Sequence, residues 1–231
     1  MVKKGLTTEG TERGYHRAVP VSVIIPTLNE EDWIAGAIES AAGSEVIVVD
    51  GGSVDRTARF ATAAGARVVL SEPMRARQLN RGAEAASGKW LIFLHADSRL
   101  PPGAADAVEK SGVLFGGFRL RFAEADRRLR IAERMINLRS AITREPWGDQ
   151  AQFVARSAFP GFSEIPIMED YELARRMKRA GRTRILPLTV TTSGRRFLEN
   201  GLLRTAAINW STIVRYHMGA DPNDLARRYR G

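Results

Sequence analysis

Cysteine is absent from this chain, so neither a disulfide nor a thiolate-bound metal is open to it, and its fold rests on a packed core. Long hydrophobic runs are absent too. Nothing approaches the roughly 20 apolar residues that span a bilayer, and the uncharged stretch Thr205–Val214 is bracketed by Arg204 and Arg215. No G-x-G-x-x-G follows any apolar run, which removes the usual mark of a dinucleotide-binding oxidoreductase. Residues 1–19 are polar and charged without an apolar stretch, and read as a flexible tail rather than a signal peptide.

What is present is length and positive charge. The chain has 231 residues, 35 Lys and Arg against 26 Asp and Glu, and a formal net charge of +9. A chain of this size buries roughly 70–75% of its unfolded surface, enough for a full core. The positive balance suits an anionic partner such as a nucleotide diphosphate, an acidic acceptor or a membrane surface. No repeat or low-complexity linker divides the sequence, so residues 20–231 are expected as one α/β domain. Its nucleotide-binding half would be about 20–112 and its acceptor half about 113–231. Cytoplasmic location is expected, with room for peripheral contact at the inner face of a membrane.

Two segments set the fold expectation. VSVIIPTLNEE (Val21–Glu31) and EVIVVDGGSVDRT (Glu45–Thr57) are short β-branched runs that break into turn and helix-start residues. They read as strand–helix–strand–helix, the opening of a mostly parallel sheet. Asn29 is expected to cap the first helix, with Glu30, Glu31 and Asp32 in its first turn, and Ser53 to cap the second. Further strands are expected at Arg67–Leu70, Trp90–Leu94, Val113–Phe122, Gln150–Ala155 and Ile185–Thr191. Helices are expected at Met74–Ala86, Pro101–Lys110, Ala125–Ile142, Glu169–Ala180 and Phe197–Met218, with a short closing helix from Asp221.

Ligands of open α/β sheets bind beyond the carboxyl ends of the strands. Here those ends carry Pro26, Thr27, Asn29, Glu30 and Asp50. Asp97 and His95 follow the apolar strand and share a face, because alternate strand residues do. Asp170 lies on the stripe formed by Leu173, Ala174 and Met177, at i+3, i+4 and i+7. A first-turn acid turned inward faces a cleft or is buried at a cost. Glu169 on the same turn is adequately explained by the helix dipole, with an acceptor or diphosphate contact as its other use. Trp147, Asp149 and Gln150, in EPWGDQ, combine an aromatic plate with hydrogen-bonding groups and suit an acceptor or sugar contact.

PTLNEE, VVDGGSVDRT, FLHAD (Phe93–Asp97) and MEDYELARRMKRAG (Met168–Gly181) follow one another in this order. Together they resemble the family 2 glycosyltransferases of GT-A fold, over roughly Val21 to Gly194. His-Ala-Asp with a later Ser-Gly-Arg-Arg resembles a small bacterial subgroup. The resemblance implies a Rossmann-like sheet flanked by helices and an inverting, metal-assisted transfer from a nucleoside-diphosphate sugar to an acceptor hydroxyl. It implies that Asp97 holds Mg²⁺ or Mn²⁺ on the diphosphate and that Asp170 is the general base. Pro26, Thr27, Glu30, Asp50 and Asn80 would contact the nucleotide sugar. His95 stands where the family has the first acid of its metal motif, which leaves its ligand role open. A late metal-binding histidine is missing, and Arg195 or Arg196 would neutralise diphosphate instead.

Two other readings compete. A nucleotidyltransferase shares the α/β core, yet wants a basic glycine-rich loop where this chain has acidic PTLNEED. A basic binding module for RNA or anionic lipid fits the net charge, but the carboxylates gather at the strand ends, and nucleic acid is not the expected partner. The Phe197–Met218 helix suits core packing, a homodimer contact or a monotopic membrane contact.

Overall fold

The structure, a computed structural model, describes residues 20–230. The expected N-terminal tail lies outside the described residues. Eight strands form one mixed, mostly parallel sheet: β1 (Val21–Thr27), β2 (Glu45–Asp50), β3 (Arg67–Leu70), β4 (Trp90–Phe93), β5 (Ser98–Arg99), β6 (Phe115–Phe122), β7 (Phe153–Ala155) and β8 (Thr183–Thr192). Their spatial order is β3-β2-β1-β4-β7-β6-β8-β5. The pairs β3–β2, β2–β1, β1–β4 and β6–β8 are parallel, whereas β7 is antiparallel to both β4 and β6.

β1 is a near-continuous apolar run because both its faces are covered. Val21, Val23 and Ile25 point into one core with Ile34, Ala37 and Ile38 of α1 (Ile34–Ser40) and Val108 of α4 (Ala104–Glu109). Ile24, with Ile47 and Val49 of β2, points into the other. That second core is closed by Ala76, Leu79 and Ala83 of α3 (Arg75–Ala85) and by Leu173, Ala174 and Met177 of α6 (Glu169–Ala180). A Cβ on Gly82 would lie 2.4 Å from Ile24 Cγ2, so α3 sits this close to the sheet only because residue 82 has no side chain. The expectation of a mostly parallel α/β sheet flanked by helices holds.

Several local expectations need correction. Asn29 does not cap a helix; it is left-handed at φ 56°. Its Oδ1 accepts from Val54 N and its N–H donates to Ser53 Oγ, which ties the β1 and β2 loops together. α1 begins only at Ile34, after Trp33. Ser53 likewise caps nothing, and α2 (Thr57–Ala63) starts after Arg56. Gln150 ends a short 3₁₀ turn, and β7 begins at Phe153. The long helix expected from Phe197 is two, α7 (Arg195–Asn200) and α8 (Leu202–His217), split at Gly201 with φ 80°. The remaining helices among the described residues are α5 (Arg127–Thr143) and the closing α9 (Pro222–Arg230).

The unexpected β5 has a positioning effect. It pairs antiparallel with the end of β8, Ser98 opposite Thr192, and Ser98 Oγ donates to Thr192 Oγ1 at 2.8 Å. That pairing fixes Asp97, one residue before β5, beside the Ser193–Arg195 segment that follows β8.

Candidate active site

At the carboxyl end of the sheet lies a cavity of about 330 Å³ bordered by Arg75, His95, Asp97, Trp147, Asp149, Asp170, Arg195, Arg196, Asn209 and Tyr229. Asp97 and Asp170, 73 positions apart in sequence, line the same space. Three side-chain atoms on this wall are buried without a hydrogen-bond partner: Trp147 Nε1, Asp149 Oδ1 and Asn209 Oδ1. Buried polar groups are normally paired, so one orphaned donor and two orphaned acceptors on residues that border one cavity fit a site for a polar ligand.

Asp170 is held by main-chain donors. Its Oδ2 accepts from Gly148 N at 2.6 Å and its Oδ1 from Tyr171 N at 2.8 Å. Met168, immediately before α6, is left-handed at φ 72°, and Ala151, just after the Gly148–Gln150 turn, at φ 44°. Such conformations in residues with a Cβ persist only where surroundings impose them. Gln152 supplies one restraint, its Nε2 donating to both Pro146 O and Asp170 O at 2.8 Å. The two acidic segments are thereby clasped together. A Cβ added to Gly148 would lie 2.9 Å from Asp170 Oδ2 and 3.0 Å from His95 Nε2, so this glycine is set by space between two polar groups.

Electrostatics separate the acids. Burial pushes the Asp149 carboxyl up to about 6, with Asp170 adding to the rise and Arg139 opposing it. Arg139 stacks on Trp147, its guanidinium carbon 3.5 Å from the ring centroid. Burial, reinforced by the Arg75 charge, lowers His95 below its usual range. The imidazole therefore stands neutral, with a lone pair to offer. Arg75 is opposed by burial, yet Glu169 and Asp170 outweigh that and hold it firmly protonated. Glu30 is raised by burial against the opposing charge of Arg195. Arg195 Nη2 lies 3.1 Å from Glu30 Oε1 and 3.6 Å from Asp97 Oδ2, placing one cation between two carboxylates from distant parts of the sequence.

Other expected contacts are directed elsewhere. Glu169 is fully buried and paired to Arg75, so it does not face an acceptor. Gln150 is buried; its Nε2 donates to Phe118 O and Ser140 Oγ, and its Oε1 accepts from Arg139. It shapes the loop from behind. Asn80 binds both main-chain groups of Phe162 and does not border the cavity. Thr27 and Asp50 are buried and face each other at 3.3 Å, while Asp50 also accepts from the N–H groups of Gly52 and Ser53. They build the turn after β2. Pro26 and Glu30 are only partly covered at the end of β1. Arg196 borders the cavity but stacks on Tyr229, 3.6 Å from guanidinium carbon to ring centroid.

Tyr229, Asn209 and Gly148 were not singled out from sequence. Tyr229 belongs to α9, which packs through Leu225 and Ala226 against Ile167, Met168 and Tyr171. It borders both the first cavity and a neighbouring one of about 670 Å³.

Comparison with known proteins places the chain in a family and a fold. The profile of "Glycosyl transferase family 2" matches residues 22–152, more than half of the sequence. The chain belongs to that family. Among curated family relatives, a PGL/p-HBAD biosynthesis glycosyltransferase of Mycobacterium bovis is 36% identical over 91 residues, covering 34% of this chain and 36% of the relative. A glucosyl-3-phosphoglycerate synthase of Mycolicibacterium paratuberculosis is 37% identical over 92 residues, covering 33% and 28%. The chain thus spans about a third of the length of the curated relatives it matches. Among solved structures, S. aureus TarS superposes with TM-score 0.60 at 18% identity, covering 82% of this chain and 65% of TarS. The Mycobacterium tuberculosis glucosyl-3-phosphoglycerate synthase in complex with Mg²⁺ and UDP gives 0.56 at 22% identity, covering 75% and 70%. These likenesses establish the fold.

Proposed function

We propose that this family 2 member is an inverting glycosyltransferase that moves a sugar from a nucleoside-diphosphate sugar to an acceptor hydroxyl. The observation that carries the reading is the shared cavity: Asp97 and Asp170 both border it, as do the residues of the orphaned Trp147 Nε1, Asp149 Oδ1 and Asn209 Oδ1. One donor and two acceptors match a ligand rich in hydroxyls, and the Trp147 ring adds an apolar plate.

A divalent cation fits these residues in a limited way. Among the described residues no group of three or more His, Cys, Asp or Glu forms a cage. Mg²⁺ and Mn²⁺ at phosphate-transfer sites need no such cage, since one or two carboxylates plus substrate phosphates and water suffice. Asp97, with the neutral His95 beside it, supplies that donor set. When bound, the ion would offset charge developing on the leaving diphosphate. The solved neighbour with Mg²⁺ and UDP supports uridine diphosphate sugars as the first donors to test.

The chain's own residues do the rest. Asp170, oriented by Gly148 and Tyr171, takes the proton from the acceptor hydroxyl as that oxygen attacks the anomeric carbon from the face opposite the diphosphate. Direct displacement inverts the centre and leaves no covalent intermediate. Arg195, now shared by Glu30 and Asp97, turns to the incoming diphosphate. Arg75, held by Glu169, keeps positive charge close to Asp170.

The test is a thermal-shift screen of UDP- and GDP-sugars with and without Mn²⁺, followed by donor-hydrolysis assays. A ligand that binds the native state raises its melting temperature. A metal-dependent shift with at least one sugar nucleotide is expected. No shift with any of them, together with RNA binding that weakens steeply with salt, would replace this reading by the binding-module one.

A further inference from the structure

Two helices in contact, α5 and α8, each carry an apolar stripe that no described residue covers. In α5, Leu129, Ala132 and Ile136 pack inward. Ile131, Met135, Leu138 and Ile142 are 51%, 62%, 62% and 72% exposed. Their i, i+4, i+7, i+11 spacing keeps them on one side of the helix, opposite the packed face. In α8, Thr205, Asn209 and Thr212 face the cavity. On its other side Leu203, Trp210 and Val214, at i, i+7 and i+11, are 84%, 66% and 43% exposed.

The charge carried by these two helices is almost wholly positive. α8 contains no acidic residue. The single acid of α5, Glu133, is paired to Arg130 and accepts from Phe122 N at 2.6 Å. Arg127, Arg134, Arg204 and Arg215 are exposed, and none forms an ion pair among the described residues. Large apolar side chains, a tryptophan and a rim of arginines on surface helices are the composition that lies in a membrane interface. A second copy is a poorer occupant. A two-fold contact sets the same patch against itself, which would bring these arginine rims together.

We propose that the α5–α8 face docks on an anionic lipid bilayer, with the two apolar stripes entering the headgroup region and the arginines meeting lipid phosphates. The proposal is independent of the catalytic reading. α8 would then separate the bilayer from the cavity, one side of the helix on lipid and the other on the site.

Vesicle flotation of the full chain tests it, comparing phosphatidylcholine alone with phosphatidylcholine plus phosphatidylglycerol. The protein should float with the mixed vesicles, weakly or not at all with the neutral ones, and less as salt rises. Met135→Glu combined with Trp210→Glu should abolish flotation, and Arg127→Gln with Arg134→Gln should weaken it on the order of 30-fold. Unchanged circular dichroism and melting temperature would show that both variants fold. Failure of the wild type to bind phosphatidylglycerol vesicles overturns the proposal, as does undiminished binding by the glutamate variant. A concentration-dependent dimer in light scattering that the glutamate variant dissolves, without lipid binding, also overturns it and assigns the face to a second copy.

Discussion

Gly148 N–H donates to Asp170 Oδ2 at 2.6 Å, joining residues 22 positions apart in the chain. The bond directs the carboxylate into the cavity, and it keeps one main-chain donor of the EPWGDQ loop beside the acid proposed as base. Asp170→Asn preserves size and an acceptor oxygen but cannot take up the acceptor proton. Transfer should fall by at least about 10²–10⁴-fold, the usual contribution of a positioned base. Donor binding, measured by calorimetry, should survive. Turnover near the wild-type rate would remove Asp170 from its assigned role.

Gly148→Ala tests the spacing directly. The new methyl would sit within 3.0 Å of both Asp170 Oδ2 and His95 Nε2, so one of them must move. The expected result is a loss of kcat with a melting temperature lowered by only a few degrees. Because an error of about 1 Å at a reacting group costs on the order of 10²-fold, a variant with full activity would show that the gap has no catalytic part.

Removing the cation between Glu30 and Asp97 addresses the donor side. With Arg195→Ala, the donor KM should rise about 10- to 100-fold, the size of a lost charge-assisted hydrogen bond. Arg195→Lys should recover part of the loss, since it restores charge without the planar fork. Steady-state kinetics at several donor concentrations separate this from an effect on kcat alone.

Asp149 predicts a pH effect on stability. Its carboxyl titrates near 6 in the folded protein, with burial as the main cause, against about 3.9 when unfolded. Between these values the folded state binds the extra proton, so this group lowers stability as pH rises from about 4 through 6. The loss saturates above 6, at no more than about 3 kcal/mol. Asp149→Asn should therefore melt higher than wild type at pH 8, and the difference should shrink toward pH 4. Thermal unfolding of both proteins across this range checks it; parallel curves would contradict the assignment.

The parallel core was legible because β1 and β2 are uninterrupted apolar runs, a pattern that both faces of a buried strand impose. The inward direction of Asp170 was legible from helical spacing alone. Glu169 was not, since the partner that draws it inside, Arg75, lies 94 positions away. Gln150 and Asn80 misled for the same reason. A polar side chain looks equally ready for a ligand whether or not a distant carbonyl already occupies it, and only the folded chain brings Phe118 and Phe162 to them. Tyr229 escaped notice because it reaches the site through α9, a helix whose own sequence carries no sign of the sheet end it covers.

Tyr229 stands with Arg75, Ile167 and Arg196 on the boundary between spaces of about 330 and 670 Å³. Trimming that ring would thin this shared boundary from the α9 side, so the passage between the two chambers is set in part by α9. A substitution at position 229 can thus reshape the space beside the site while the elements that carry Asp97, Asp149 and Asp170 stay untouched.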